Sequence, residues 1–315
     1  MSEPLIILCP LRSFSSVGCA MIGQHPQMYG FPELNLFVAD SIEGMLLYYL
    51  RQGRPQGLHG LLRTLAQLHE GAQTETTIFK ARTWLQERMD WSTKKMFDYL
   101  LERISPRIGV DKSPVTVMKP EFIERAHAMF PKGNFLHLTR HPISAAKSIR
   151  EYLKQMSEVR EKLLKPMFKT SGSPKPLINN ALNETTFDPA RLWLYTHSSI
   201  INFTNTLPMG QSIRLKGEDL LSEPDLYLPQ VADWLSVRTD PEAIEAMKHP
   251  EHSSYACRGP LGARGGNDLK FLDSPCLRFG KISEPSFKSK TELEWALNRQ
   301  SSQKIIALAK QMGYQ

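Results

Sequence analysis

The stretch LIILCPLRSFSSVGCAMIG, residues 5–23, decides the fold. Its opening run, residues 5–9, is apolar and bounded by Pro4 and Pro10, the pattern of a short strand buried on both faces of a sheet. A polar turn follows, with Arg12, Ser13, Phe14, Ser15 and Ser16, and then apolar residues that predict a helix over 15–24. A strand that delivers an arginine and hydroxyls to the start of a helix suits an anion. The first-turn N–H groups have no intrahelical acceptor and lie at the positive end of the helix dipole. An ordinary serine N-cap beside a surface arginine suits the same residues. The GxxxxGK[ST] signature of a nucleoside-triphosphate loop is absent, and with it the Lys-Ser/Thr pair that would mark a magnesium site.

Outward from that stretch, strands are predicted over 107–114, 134–140 and 211–216. Helices are predicted over 34–51, 58–68, 92–103 with Ser92 as N-cap, 120–129, 142–156, 189–206, 225–235, 241–248 and 301–312. This alternation implies an α/β fold, a parallel β-sheet flanked by helices on both faces. Ligands of such sheets sit at the carboxyl ends of the strands. The segments after Cys9, Val110 and Leu138 all fall at such ends, so one cleft is expected to collect them. The lysine-rich and Ser/Asn/Pro-rich segment 157–186 reads as a lid or insertion, and the Gly-, Arg- and Pro-rich segment 249–282 as a long loop. The whole of 1–315 is read as a single domain.

Lys plus Arg number 39 against 32 Asp plus Glu, a net charge of +7, which points to an anionic partner. The basic residues are scattered, with no Lys/Arg block or basic-aromatic interleaving, and this argues against nucleic acid. No stretch approaches the ~20 apolar residues of a membrane span, and no leader is seen. Cys9, Cys19, Cys257 and Cys276 form no CxxC pair. They are expected to be buried free thiols of a soluble, cytoplasmic protein, and no spacing marks a metal site.

A second anion site is suggested by LTRHPISAAKSIREYL, residues 138–153. Arg140 closes a strand, and Ser148 follows eight residues later in the next helix, on one face with Ser144. The plain alternative is a charged strand end with two solvated serines.

Together the two motifs resemble those of the sulfotransferases that use 3′-phosphoadenosine 5′-phosphosulfate (PAPS). PLRSFSS resembles that family's 5′-phosphosulfate loop, and TRHPISAAKS its 3′-phosphate motif with the same Arg–Ser spacing. PEL at 32–34, DKSP at 111–114, GEDLLSEP at 217–224 and GGNDLKFLDSP at 265–275 extend the resemblance in family order along most of the chain. The branch it resembles serves bacterial natural-product and polyketide pathways. The resemblance implies a P-loop-like sheet with helical insertions that cover the substrate. It implies PAPS as donor, adenosine 3′,5′-bisphosphate (PAP) as product and no metal. The acceptor would be a small molecule or a carrier-bound acyl chain.

Carried over, the resemblance assigns Arg12 to the 5′-phosphosulfate, with Ser13, Phe14, Ser15 and Ser16 as donors around it. Arg140 and Ser148 take the 3′-phosphate, and the loop bearing Arg258, Arg264 and Asn267 closes over the nucleotide. A base is still needed. The histidine that follows Lys-Thr in the phenol-modifying branch is missing, since this chain reads Lys112-Ser113-Pro114. Glu33 stands where the tyrosine-modifying branch has its glutamate, and its apolar neighbours are expected to raise its pKa. A helix-start carboxylate is the plainer role for the same residue. Lys112 is expected to stabilise the transferring group, or is merely a turn lysine. His197, one helical turn after Trp193, is a candidate acceptor contact, and His137 reads as a core residue.

Two positions depart from the family pattern. Phe14 stands where glycine is usual, and phenylalanine is costly there if the loop requires φ > 0. Gly217 stands where an aromatic residue often precedes EDL. These departures keep open a nucleotide-binding protein without turnover. A kinase-like enzyme is disfavoured by the missing GK[ST].

Overall fold

The computed structural model describes residues 3–164, 187–278, 280–287 and 299–315. Its sheet has five strands: β1 (Leu5–Leu8), β2 (Met28–Gly30), β3 (Ile108–Asp111), β4 (Asn134–Thr139) and β5 (Ser212–Lys216). Their order is β2-β3-β1-β4-β5 and every pairing is parallel. β1 pairs with β3 through Ile6 opposite Asp111, and with β4 through Leu8 opposite His137. The carboxyl ends of β1, β3 and β4 are therefore neighbours at the point where the connections change side, the place where open α/β sheets bind ligands.

The apolar run of β1 is continuous because both its faces are covered. Ile6 and Leu8 join a core with Leu34, Phe37, Leu61, Leu65, Phe97 and Leu100. These come from the loop after β2 and from α3 (His59–Glu70) and α5 (Thr93–Ile104). Leu5, Ile7 and Cys9 face the other way, into a core with Ile22, Leu220, Leu228 and Val231. That side is built by α1 (Ser15–Gly23), α9 (Gly217–Ser222), α10 (Pro224–Trp234) and α11 (Pro241–Met247). α2 (Ile42–Arg51), α4 (Glu75–Gln86) and α6 (Pro120–Met129) add to the first of these cores. The chain also forms α7 (Pro142–Leu164), α8 (Pro189–Thr204), α12 (Leu269–Asp273) and α13 (Arg299–Gln311).

The strands and most helices fall where the residue pattern predicts them, and Ser92 does cap α5, its hydroxyl accepting from the Lys95 N–H at 3.0 Å. The helix predicted over 34–51 is shorter than expected. Asn35 takes a left-handed conformation with φ 58° and Ala39 is extended, so α2 begins only after Ser41, which caps it. Leu34, Leu36 and Phe37 are fully buried, the last two in a 3-10 turn, Leu36–Val38, and not in an α-helix. β2 went unread because it is three residues long, and α4 because it has few apolar residues. α7 runs to Leu164, past the expected end at 156. The rest of the predicted lid, from 165 to 186, lies outside the described residues. The predicted loop over 249–282 contains α12 and two 3-10 turns, Pro250–His252 and Leu261–Ala263.

The chain separates into two compact units. The first, residues 1–140 and 196–283, holds the sheet. The second, 141–195 and 284–315, contains α7, the start of α8 and α13. Within it His141 stacks on Phe287 at 4.7 Å and meets Tyr314 edge-on at 5.2 Å. No described helix is long and apolar enough to cross a membrane.

Candidate active site

The loop from β1 to α1 makes a tight turn through two left-handed residues, Arg12 at φ 66° and Phe14 at φ 59°. Phe14 is also the N-cap of α1, and its side chain offers no cap hydrogen bond. Its carbonyl accepts the first helical bond, from the Gly18 N–H at 2.9 Å. The first-turn N–H groups of α1 thus have no side-chain cap from the residue best placed to supply one. Ser13 is fully buried, and its hydroxyl has no hydrogen-bond partner among the described residues. A buried hydroxyl without a partner is costly. An anion at the head of α1 would satisfy both.

Lys112, immediately after β3, is fully buried and gathers the neighbouring segments. Its ammonium donates to Glu33 Oε1 at 2.8 Å, to Ser16 Oγ at 3.0 Å and to Asn267 Oδ1 at 3.2 Å. An ammonium has three protons to give, and all three have acceptors. Burial by itself depresses the Lys112 pKa, and the Glu33 carboxylate more than offsets this, leaving it above the ordinary lysine value. Glu33 is therefore not the carboxylate among apolar neighbours that the sequence suggests; its partner is a buried cation. The backbone holds it as well, the Glu33 N–H donating to the Gly266 carbonyl at 2.8 Å.

The segment carrying Asn267 closes against the β1–α1 loop. The Asp268 N–H donates to Ser16 Oγ at 3.1 Å, and the Asp268 carboxylate pairs with the Arg12 guanidinium. Beside them, Asp111 at the end of β3 is buried, which pushes its carboxyl up to about 7. The Ser113 hydroxyl donates to Asp111 at 3.1 Å and accepts from the Asn35 N–H at 2.9 Å, tying the DKSP turn to the segment that bears Glu33.

Arg140 follows β4. It donates to the Arg12 carbonyl at 2.8 Å, and its guanidinium carbon lies 4.2 Å from the centre of the Phe14 ring. Gly217 makes room for that ring, because a Cβ at Gly217 would come within 2.5 Å of Phe14 Cδ2. The two departures from the family pattern are thus in contact.

Arg12, Ser13, Phe14, Ser15, Ser16, Glu33, Lys112, Arg140 and Asn267 all belong to the first unit and to this end of the sheet. Ser148 lies in the second unit, buried on α7. Arg264 is exposed, and Arg258 is exposed and paired with Asp273 at 2.6 Å. His197 is fully buried, its Nδ1 2.8 Å from His137 Nε2, a packed histidine pair where the sequence reading had turned it toward an acceptor. Burial drives the His197 pKa down to about 3, so the ring is neutral. Cys9 and Cys19 are buried, with thiols pushed up to about 12 by burial, whereas Cys257 and Cys276 are exposed, contrary to expectation.

Two contributors escaped the sequence reading. Asp268 is adjacent to Asn267 and carries the carboxylate that meets Arg12. Arg63 on α3 is fully buried and donates to Gln73 Oε1 at 2.6 Å, to the Gly265 carbonyl at 3.1 Å and to the Cys257 carbonyl at 2.8 Å. Its one signal was an arginine on an apolar stripe, between Leu61, Leu62, Leu65 and Ala66. It clamps the segment that brings Asn267 and Asp268 to the site.

The model of the sulfotransferase family matches residues 4–241. The sulfotransferase domain from the curacin biosynthetic pathway superposes with a TM-score of 0.64 at 20% identity, covering 100% of this chain and 99% of that one. The sulfotransferase domain from the Synechococcus PCC 7002 olefin synthase superposes equally well, also 0.64 at 20% identity, over 100% of this chain and 97% of that one. At such identity the likeness establishes the fold. No curated protein matches the chain.

Proposed function

The chain belongs to the sulfotransferase family, and from that premise we propose that it moves a sulfonate group from PAPS to a hydroxyl or similar nucleophile. The acceptor is a small-molecule natural product or a carrier-bound acyl chain, and the base is Glu33. The observation that carries this reading is the buried Lys112 ammonium, which joins Ser16 of the anion loop, Glu33 and Asn267 in one network.

PAPS, when bound, supplies the sulfonate and leaves as PAP after in-line attack by the acceptor oxygen at sulfur. Arg12, the Ser13, Ser15 and Ser16 hydroxyls and the head of α1 hold the 5′ end, where negative charge builds on the departing oxygen. Preorganised donors of this kind are worth about a hundred- to a thousand-fold in rate each. Arg140 holds the 3′-phosphate. Lys112 fixes Glu33 through Oε1. Among the described residues Oε2 has no hydrogen-bond partner, and it is the oxygen that takes the acceptor's proton.

The acceptor class is supported by the two structural neighbours, whose names place them in the curacin pathway and in an olefin synthase. The free state of all four cysteines suits a reducing, cytoplasmic setting.

Thermal shift tests the donor. PAP should raise the melting temperature and Mg-ATP should leave it unchanged. The reverse result would overturn the reading. Labelled PAPS offered with hydroxylated acceptors then tests transfer, and the expected outcome is label on the acceptor in step with release of PAP.

A further inference from the structure

We propose that Phe14 is a positioning residue for Arg140, with Gly217 as the space it requires. This deepens the proposed function and rests on its assignment of Arg140 to the 3′-phosphate of the donor. Phe14 occupies a left-handed conformation at φ 59° and ψ 15°, a region in which a residue with a Cβ is strained. Local backbone chemistry favours glycine there, so a contact elsewhere must compensate the side chain. Besides packing against the core that holds Leu5, Ile7 and Leu220, the ring meets two further groups in the first unit. On one side the Arg140 guanidinium carbon stands 4.2 Å from its centre, within the range of a cation–π attraction. On the other is Gly217, the first residue of α9, where a Cβ would lie 2.5 Å from Cδ2 and 3.2 Å from Cβ and Cγ of Phe14. No side chain at 217 is compatible with the ring in this place.

Arg140 is held a second time by the same turn, through the 2.8 Å bond from Nη1 to the Arg12 carbonyl. Arg12 is itself left-handed, at φ 66°. Both conformations that a plain loop would avoid therefore end in a contact with one guanidinium. A planar fork gripped at its face and at one nitrogen keeps a defined direction, and direction is what bidentate recognition of a phosphate demands. Phe14 thereby couples the two anion sites: the turn that holds the 5′ end also aims the arginine for the 3′ end.

The test measures the affinities of PAP and of adenosine 5′-monophosphate, which lacks the 3′-phosphate, by calorimetry. Phe14→Leu keeps the bulk and removes the π face. It should lower the preference for PAP about tenfold, the scale of a partly desolvated cation–π contact, while affinity for the monophosphate holds. Phe14→Tyr should restore the preference. Gly217→Ala should reproduce the loss by displacing the ring, yet add nothing in a Phe14→Ala background. A role in packing alone predicts equal losses for both nucleotides in Phe14→Leu, and that result, or no loss at all, overturns the proposal. A wild-type protein that binds the two nucleotides equally well would instead overturn the assignment of Arg140 to the 3′-phosphate, so the two failures are distinct.

Discussion

Lys112 has three protons to donate and a fully buried side chain. That is why Glu33, Ser16 and Asn267, distant in sequence, meet within about hydrogen-bond length of one nitrogen. Glu33 keeps its outer oxygen and part of its exposure, 28% for the side chain, so it can face a substrate while its inner oxygen is anchored. Glu33→Gln retains an oxygen for Lys112 and removes the proton acceptor. Turnover should fall by at least about a hundredfold, with PAP affinity unchanged within about twofold. Melting should drop by the equivalent of roughly 1–3 kcal/mol, because a buried ammonium loses its countercharge. Normal turnover by this variant in a labelled-PAPS assay would remove Glu33 from the role of base. Most of these groups were legible in the sequence as a cluster, because they sit in short motifs at strand ends: Arg12 after β1, Lys112 after β3, Arg140 after β4. Asp268 was not, because a carboxylate beside Asn267 gains its meaning only from Arg12, far away in the chain.

At the level of elements, the segment 257–268 is the least regular part of the site and depends on α3 for its position. Arg63 supplies that dependence through the Gly265 and Cys257 carbonyls, and burial pulls its own pKa below the ordinary arginine value. Arg63→Met fills similar volume and takes the guanidinium donors away from those carbonyls. The expected result is faster hydrogen exchange confined to residues 255–268, together with a higher KM for PAPS and a smaller change in kcat. A uniform rise in exchange across the protein would instead mark Arg63 as a general core residue. Gly266, at φ 96° and with its carbonyl bonded to the Glu33 N–H, completes the seam where the loop meets Glu33. Helices were readable where an apolar stripe announced them, as at α5 with its Ser92 cap, and a cap alone did not suffice, as at α4 after Thr74. They were missed or overrun where burial is local and aperiodic, as at 34–38, whose apolar residues enter the core through a left-handed turn at Asn35.

For the molecule as a whole, the buried Asp111 ties stability to pH. Burial raises its pKa from 3.8 in the unfolded chain to about 7, against the pull of the Ser113 hydroxyl, the Leu34 N–H and Lys112. The folded state therefore binds more protons than the unfolded state between these values. Its contribution is fully present below about pH 3.8 and is lost as pH rises through about 7. Urea denaturation of wild type and Asp111→Asn at pH 5 and pH 8 should show the wild type losing ground to the variant at the higher pH. A difference that stays flat across the window would mean that Asp111 ionises in the fold as it does in water.

The parallel sheet, its family and the cations proposed to hold the donor were written into local pattern. An apolar run between prolines, a cation after β1, β3 and β4, and strands separated by helices are all properties of contiguous residues, which propensity and periodicity report. The partners were not local. That Phe14 needs Gly217, that Glu33 answers to Lys112, that Asp268 reaches Arg12 and that His197 turns inward to His137 are outcomes of packing between segments many residues apart. Burial decides them: once water is excluded, each charge or ring must find its complement among whatever the fold has brought beside it.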